Sequence, residues 1–303
     1  MTSAAVPLRF VVGSRKLLEV RRQLCTVSFD LARLIEGRMP PFPDDGAAEG
    51  YRVLSAPQAA VPSIRERHPG YLLGGFQAYR RFYIDMAGSY AEYLARFSGK
   101  TRSTLGRKRR KLAELAGGTL VVREYRSPAE IEDFLAHALP LSQRTYQTRL
   151  LDAGLPEGPE ARAAMLREAR ADAVRAYLLF VGGEAVSYLY LPVEDGTVTY
   201  AYLGYDPAFA AHSVGTVLQM EALERLFAEQ RYSRFDFTEG EGAHKALFGT
   251  DCIEACSFLL LKPTLANRAL IGSLDLFDAA VAKAKRLALR SGATGTLRRL
   301  LRR

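Results

Sequence analysis

Asp236 stands between two phenylalanines in FDF (235–237), and His244 and Lys245 follow eight and nine residues later. Side chains alternate along a strand, so Phe235 and Phe237 would face one way and Asp236 and Thr238 the other. A carboxylate held among aromatics at a strand end is a candidate general base, because burial disfavours the charged form and strengthens the base. A plainer role for Asp236 is to orient nearby backbone or to pair with an arginine. Glu239 and Glu241, on the next loop, are alternative bases, although solvated loop charges are the simpler reading of both. His244 can transfer a proton near neutral pH. Lys245 can meet a phosphate or a developing oxyanion. As surface groups they would do neither.

Two further stretches suit anions. AHSVGT (211–216) opens the amphipathic run 213–230. The free N–H groups and positive dipole end of such a helix attract phosphate, and Gly215 would let backbone approach closely. The structural alternative makes Ser213 an N-cap and Gly215 a packing residue. The other stretch is FSGKTRSTLGRKRRKLAEL (97–115), in which seven residues are Lys or Arg and one is Glu. Leu105, Leu112 and Leu115 are spaced to form one buried stripe, so this is expected to be a packed helix and not a basic tail. Arg102, Arg107 and Arg110 on its basic face are candidates for a phosphorylated or acidic acceptor. Tyr202 and Tyr205, alternating with Tyr200 on one strand, are candidates for lining an acceptor groove, though packing is the default for aromatics in strands.

The 303 residues carry a net charge of +9. It is concentrated in 97–115 and in 279–303, which holds eight Lys or Arg and no acid. Such features attract phosphates, nucleic acid or anionic lipid. No helix-turn-helix, finger or single-strand stacking platform accompanies them, which argues against DNA. Cys25, Cys252 and Cys256 have neither metal nor disulfide spacing, and the four His are scattered, so no metal is expected. The same cysteine usage favours a reducing cytoplasm, and neither a signal peptide nor a spanning run of about 18 apolar residues is evident.

The elements must place these groups. Strands are expected at 9–12, 51–55 and 80–86, with an amphipathic helix over 15–39. A short helix at 89–98 precedes the basic helix, which starts near Thr101 or Ser103 and stops at Gly117-Gly118. Then come a strand (119–125), a helix opened by Ser127 and Pro128, a helix (160–174) and strands 175–181, 184–193 and 197–205. The turns Gly182-Gly183 and Asp195-Gly196 suit hairpins. Helix 213–230, strand 233–237, a short helix in 239–249, strand 253–262 and a helical C-terminus complete the order. This is an α+β chain, a mixed sheet flanked by helices.

The order over 119–262 resembles the GNAT acyltransferase fold. YLARFSGKTRSTLGRKRRKL and FDFTEGEGAHKALFG resemble two motifs of the cellulose-biosynthesis-associated (CelD/BcsL-type) acetyltransferases, YL-x-x-L-S-x-K-x-R-x-x-x-R-R and D-F-x-x-G-x-x-x-Y-K-x-x-x-G. YAYLGYDPAFAAHSVGTVL is similar to that family's strand and loop before its long helix. Fem-type aminoacyltransferases, with two GNAT-like halves, are similar as well. The resemblance covers 80–262 well and the first 80 residues weakly. It implies a reduced N-terminal GNAT-like half (1–118), a GNAT domain (119–262) and a C-terminal basic amphipathic helix (263–303).

The resemblance also implies acyl transfer from acetyl-CoA or another acyl-CoA to an amine or hydroxyl of a sugar or cell-envelope precursor. Ser213, Val214, Gly215, Thr216 and Leu203 would hold the cosubstrate, and Lys245 matches a family lysine. His244 stands where the family often has Tyr. The usual phosphate loop, Q/R-x-x-G-x-G/A, lacks its leading residue here and has Ser213 at a glycine position. Two alternatives follow: a Fem-like transferase fed by aminoacyl-tRNA, or a non-catalytic polysaccharide-synthesis accessory. The C-terminal helix could add peripheral contact with the inner membrane face.

Overall fold

The computed structural model describes residues 3–12, 15–145 and 154–290. In chain order these are β1 (Ala4–Val12), β2 (Arg15–Ser28), α1 (Leu31–Glu36), β3 (Gly50–Pro57), α2 (Val61–Arg67), β4 (Leu72–Asp85), α3 (Tyr90–Ala95) and α4 (Gly99–Leu115). Then follow β5 (Val121–Tyr125), α5 (Pro128–Arg144), α6 (Pro159–Arg170), β6 (Val174–Val181), β7 (Glu184–Glu194), β8 (Thr197–Thr199) and β9 (Tyr202–Tyr205). The last are α7 (Val214–Glu229), β10 (Arg234–Asp236), α8 (Ala243–Phe248), β11 (Asp251–Leu261) and α9 (Leu265–Arg290).

Contacts divide the chain into two units. One takes residues up to Arg81, Glu239–Ala243 and those from Cys252 on; the other takes Phe82–Thr238 and His244–Asp251. α4 belongs to the second unit. Part of the expected C-terminal segment, 291–303, lies outside the described residues.

In the first unit β1 and β2 form a long antiparallel hairpin, β2 runs parallel to β3, and β3 pairs antiparallel with β11. Cys25, Val27, Phe29, Val53, Ile64 and Phe258 form one core cluster. Val6, Leu8 and Phe10 pack with Leu270, Ile271 and Leu274 of α9 in another.

The helix expected over 15–39 is thus mostly strand. Leu17, Leu18 and Leu24 can be fitted to a helical period, but β1 pairs with β2 from Ala4↔Leu24 to Val12↔Arg15, and this long-range ladder overrides the local pattern. Helix survives only at α1, where Asp30 accepts the Arg33 N–H and Gly37 ends the turn at φ 65. Strand β4 begins at Leu72, eight residues before the expected 80.

In the second unit the end of β4 pairs with β10, β10 lies parallel to β8, and β7, β6 and β5 continue antiparallel. Ile131, Phe134, Leu135, Leu178, Tyr188 and Tyr190 centre its core. Both hairpin turns form as expected, with positive φ at Gly182, Gly183, Asp195 and Gly196. Ser127 and Glu130 make a full capping box for α5.

The strand expected over 197–205 is broken. β8 pairs with the far end of β7 at Val193↔Val198, whereas β9 pairs further back at Tyr190↔Tyr202. Tyr200 and Ala201 sit in the break, so Tyr200, Tyr202 and Tyr205 do not alternate on one strand. In α4 the cap is Ser98, not Thr101 or Ser103: the Ser98 side chain accepts the Thr101 N–H. The stripe is also smaller than expected. Leu112 is fully buried, Leu105 half-buried, and Leu115 46% exposed.

Candidate active site

The second unit brings α4, α7, α8 and the ends of β8 and β10 into one region. The β8–β10 ladder ends where the Tyr200 N–H donates to the Asp236 carbonyl at 2.9 Å. Beyond it the chains part: the Phe237 N–H goes to the Phe82 carbonyl, and β9 pairs with β7. The opening between two parallel strands is followed directly, along the chain, by β9 and α7.

The start of α7 is irregular in a specific way. Asp206 caps a short 3-10 turn, Pro207–His212, by accepting the Ala208 N–H. Ser213 then adopts φ 56, a left-handed turn, and its side chain makes no capping bond. It holds the N-cap position through its carbonyl, which accepts the Val217 N–H, and not through the side chain that its type suggests. Val214 and Gly215 are buried and Thr216 half-buried. A Cβ on Gly215 would lie 3.1 Å from Leu203 Cδ2. Any larger residue there would press on Leu203 of β9, and the first-turn N–H groups have no helical acceptor of their own.

Asp236 is 2% exposed, and its Oδ1 accepts the Thr238 N–H at 2.9 Å. That bond holds a turn in which Thr238 has φ 63. Phe235 and Phe237 are both fully buried; Phe237 lies beyond the end of β10, which is how both rings are buried beside a buried carboxylate. Lys245 Nζ donates to the Thr238 carbonyl at 3.4 Å, tying the same turn to α8.

His244 sits in an aromatic setting made by Tyr200, Phe237 and Phe248, with ring centroids 4.7 Å apart for the last. Its Nε2 is 2.6 Å from Gln219 Oε1. Burial, followed by the charges of Lys108 and Lys245, holds the imidazole below its ordinary pKa. Burial likewise pushes the Tyr200 phenol up. This arrangement offers a neutral imidazole, a protonated phenol and a buried carboxylate.

The basic face divides. Arg102 donates to the carbonyls of Ala95 and Phe97 and lines a cavity of about 300 Å³ with Leu94, Leu105, Lys108, Thr216 and Met220. Arg107 and Arg110 are exposed and do not line it. Arg109 pairs with Glu221. Tyr202 packs against Tyr190 at the core, and Tyr205 is 38% exposed. Glu239 belongs to the first unit, where it lines a cavity of about 480 Å³ with Tyr79 and Ser257. Among the described residues no His, Cys, Asp and Glu group could hold a metal ion.

Two residues near His244 escaped the sequence reading. Lys108 was one cation among seven, with nothing to single it out. Gln219 had a signal: it is a polar residue on a helix face whose neighbours Gly215, Ala222 and Leu223 are apolar and buried.

Residues 99–246 match the family model described as an acetyltransferase (GNAT) domain. The C-terminal (DUF2156) domain of a putative lysylphosphatidylglycerol synthetase from Agrobacterium fabrum is a similar solved structure, 14% identical, covering 76% of this chain and 73% of its own, with TM-score 0.51. FemX is another, 11% identical, covering 86% and 89%, with TM-score 0.51. No curated protein matches the sequence. At such identities the two structures are alike in fold. Over residues 99–246 the chain is similar to GNAT acetyltransferase domains, and its mixed sheet flanked by helices is the GNAT fold.

Proposed function

We propose that this chain is an acyltransferase that moves an acyl group, acetyl foremost, from acyl-CoA to an amine or hydroxyl of a sugar or cell-envelope precursor. The observation that carries this reading is the parting of β8 and β10 at Tyr200 and Asp236, with His244 beside it. A thioester laid in that opening would have its pyrophosphate near the first turn of α7, where the N–H groups of Val214, Gly215 and Thr216 favour an anion. The acceptor atom bonds to the thioester carbon as its proton passes to His244, the carbon–sulfur bond breaks with its electron pair going to sulfur, and the thiolate of CoA takes the proton back from His244 to leave as a thiol. His244 suits the base role because it is neutral near pH 7. Asp236 and Lys245 hold the 236–238 turn, and Lys245 also lowers the local cost of negative charge. The likeness of YLARFSGKTRS and FDFTEGEGAHKALFG to the cellulose-associated acetyltransferases supports a polysaccharide setting.

The test is a binding titration with acetyl-CoA and longer acyl-CoAs, beside Thr216→Glu. Thr216 is half-buried in the first turn of α7, where an acid suits the helix dipole but opposes a pyrophosphate. Micromolar-range binding lost in a folded Thr216→Glu protein supports the reading. No binding to any acyl-CoA overturns it and favours the accessory role.

One observation favours a second donor. The exposed cations Arg107, Arg110 and Lys111 on α4 suit RNA phosphates, as a Fem-like transferase using aminoacyl-tRNA would require. Steeply salt-dependent tRNA binding would select this reading, and its absence would remove it.

A further inference from the structure

The first unit carries a helix whose solvent side is apolar. Leu265 and Leu276 of α9 are 87% and 73% exposed. They lie eleven residues apart, about three turns, and so share one side of the helix. Ala269, Gly272 and Ala280 are exposed in the same stripe, with Arg268 exposed at its edge and Lys283, about five turns on from Leu265, exposed within it.

The opposite side is committed to the unit. Leu270, Ile271 and Leu274 pack on Val6, Leu8 and Phe10 of β1. Of the two acids of α9, Asp278 lines the cavity beside Arg9 and Gln77, and Asp275, exposed on the flank, accepts the Gly75 N–H at 3.0 Å. The outer stripe thus has leucines, small residues and cations, without an acid. The sequence beyond it strengthens the sign, since 279–303 holds eight Lys or Arg and no Asp or Glu.

We propose that the outer face of α9 lies on an anionic lipid bilayer, parallel to its surface. The two leucines would enter the boundary between headgroups and acyl chains while the cations meet lipid phosphates. A protein partner of mixed charge would leave the acid-free basic run from 279 on unanswered. Among the described residues no helix is long and apolar enough to cross a membrane, which fits a helix lying on the surface. The inference rests on α9 and β1 alone and does not depend on the acyltransferase reading.

The test is sedimentation of the full chain with vesicles of phosphatidylglycerol and phosphatidylcholine, and with phosphatidylcholine alone, at low and high salt. Wild type should sediment with the anionic vesicles, much less at high salt, and little with the neutral ones. Leu265→Glu and Leu276→Glu should each weaken partitioning about tenfold, as expected for losing one buried leucine. Leu115→Glu, at an exposed leucine of α4, should bind like wild type. Both leucines of α9 are exposed, so folding is not at issue, and circular dichroism checks it. Failure to sediment with anionic vesicles at low salt overturns the proposal. Unchanged sedimentation of the double variant overturns it as well, by assigning binding to the basic tail. Self-association through this face without lipid binding would assign it to a second copy of the chain instead.

Discussion

Gln219 Oε1 faces His244 Nε2 at 2.6 Å. With the amide in this orientation the ring proton sits on Nε2 and the lone pair on Nδ1, the arrangement a general base needs. Gln219 is fully buried and its Nε2 has no partner among the described residues, so the amide is spent on the histidine alone. Gln219→Glu would put a carboxylate against the Nε2–H and stabilise imidazolium. The acid limb of the rate profile should then move to higher pH, and the imidazole titration seen by NMR should move with it. A Gln219 that only fills space would shift neither. Stability should follow the same sign. The folded state holds His244 below its unfolded value of roughly 6.5. The fold is therefore undisturbed by this group above that pH and loses stability as pH falls through and below it. His244→Asn should lose less stability between pH 7 and pH 5 than wild type, measured by urea unfolding. Equal slopes would mean that His244 titrates normally.

Among the elements, β9 and α4 each give a sharp expectation. Gly204 of β9 stands opposite Tyr188, and an added Cβ would fall 2.3 Å from its ring. Tyr188 is buried with its hydroxyl bonded to Ser142, so it cannot retreat. Gly204→Ala should cost about 1–3 kcal/mol. In α4, Leu112→Ala should cost about 2–5 kcal/mol and Leu115→Ala almost nothing, because only the first is buried. Equal effects in thermal melts would restore the three-leucine stripe read from spacing. These elements also show what sequence can carry. The α5 capping box and the two-residue turns were legible because their determinants are local. Strand β2 was not, since its state is decided by pairing with β1. The split of 197–205 was hidden for a related reason: one strand's pattern does not reveal that its two parts pair with different stretches of β7. At the site, FDF and His244 stood out by type, whereas Lys108 acquired its place only when α4 and α8 came together.

The folding units of the whole chain do not coincide with the stretch that matches the acetyltransferase domain. That stretch is 99–246, whereas the unit holding the candidate site takes Phe82–Thr238 and His244–Asp251. The difference is structural and not a matter of frayed ends. The end of β4 supplies the antiparallel partner of β10 through Tyr83↔Asp236 and Ile84↔Phe235. Tyr93 of α3 stacks on Phe227 of α7 at 5.4 Å and donates its hydroxyl to the Phe248 carbonyl at 2.9 Å. Phe248 in turn packs on His244 and Phe97. A fragment of 99–246 would leave β10 without one neighbour, expose the α7 aromatic face and remove the ring that walls His244. It is expected to lack a cooperative melt, while a fragment of 82–251 should retain one. Thermal unfolding followed by circular dichroism separates the two. A sharp transition in the shorter fragment would mean that β4, α3 and Phe248 are accessory to the fold, and that Tyr200, Phe237 and Gln219 suffice to hold His244.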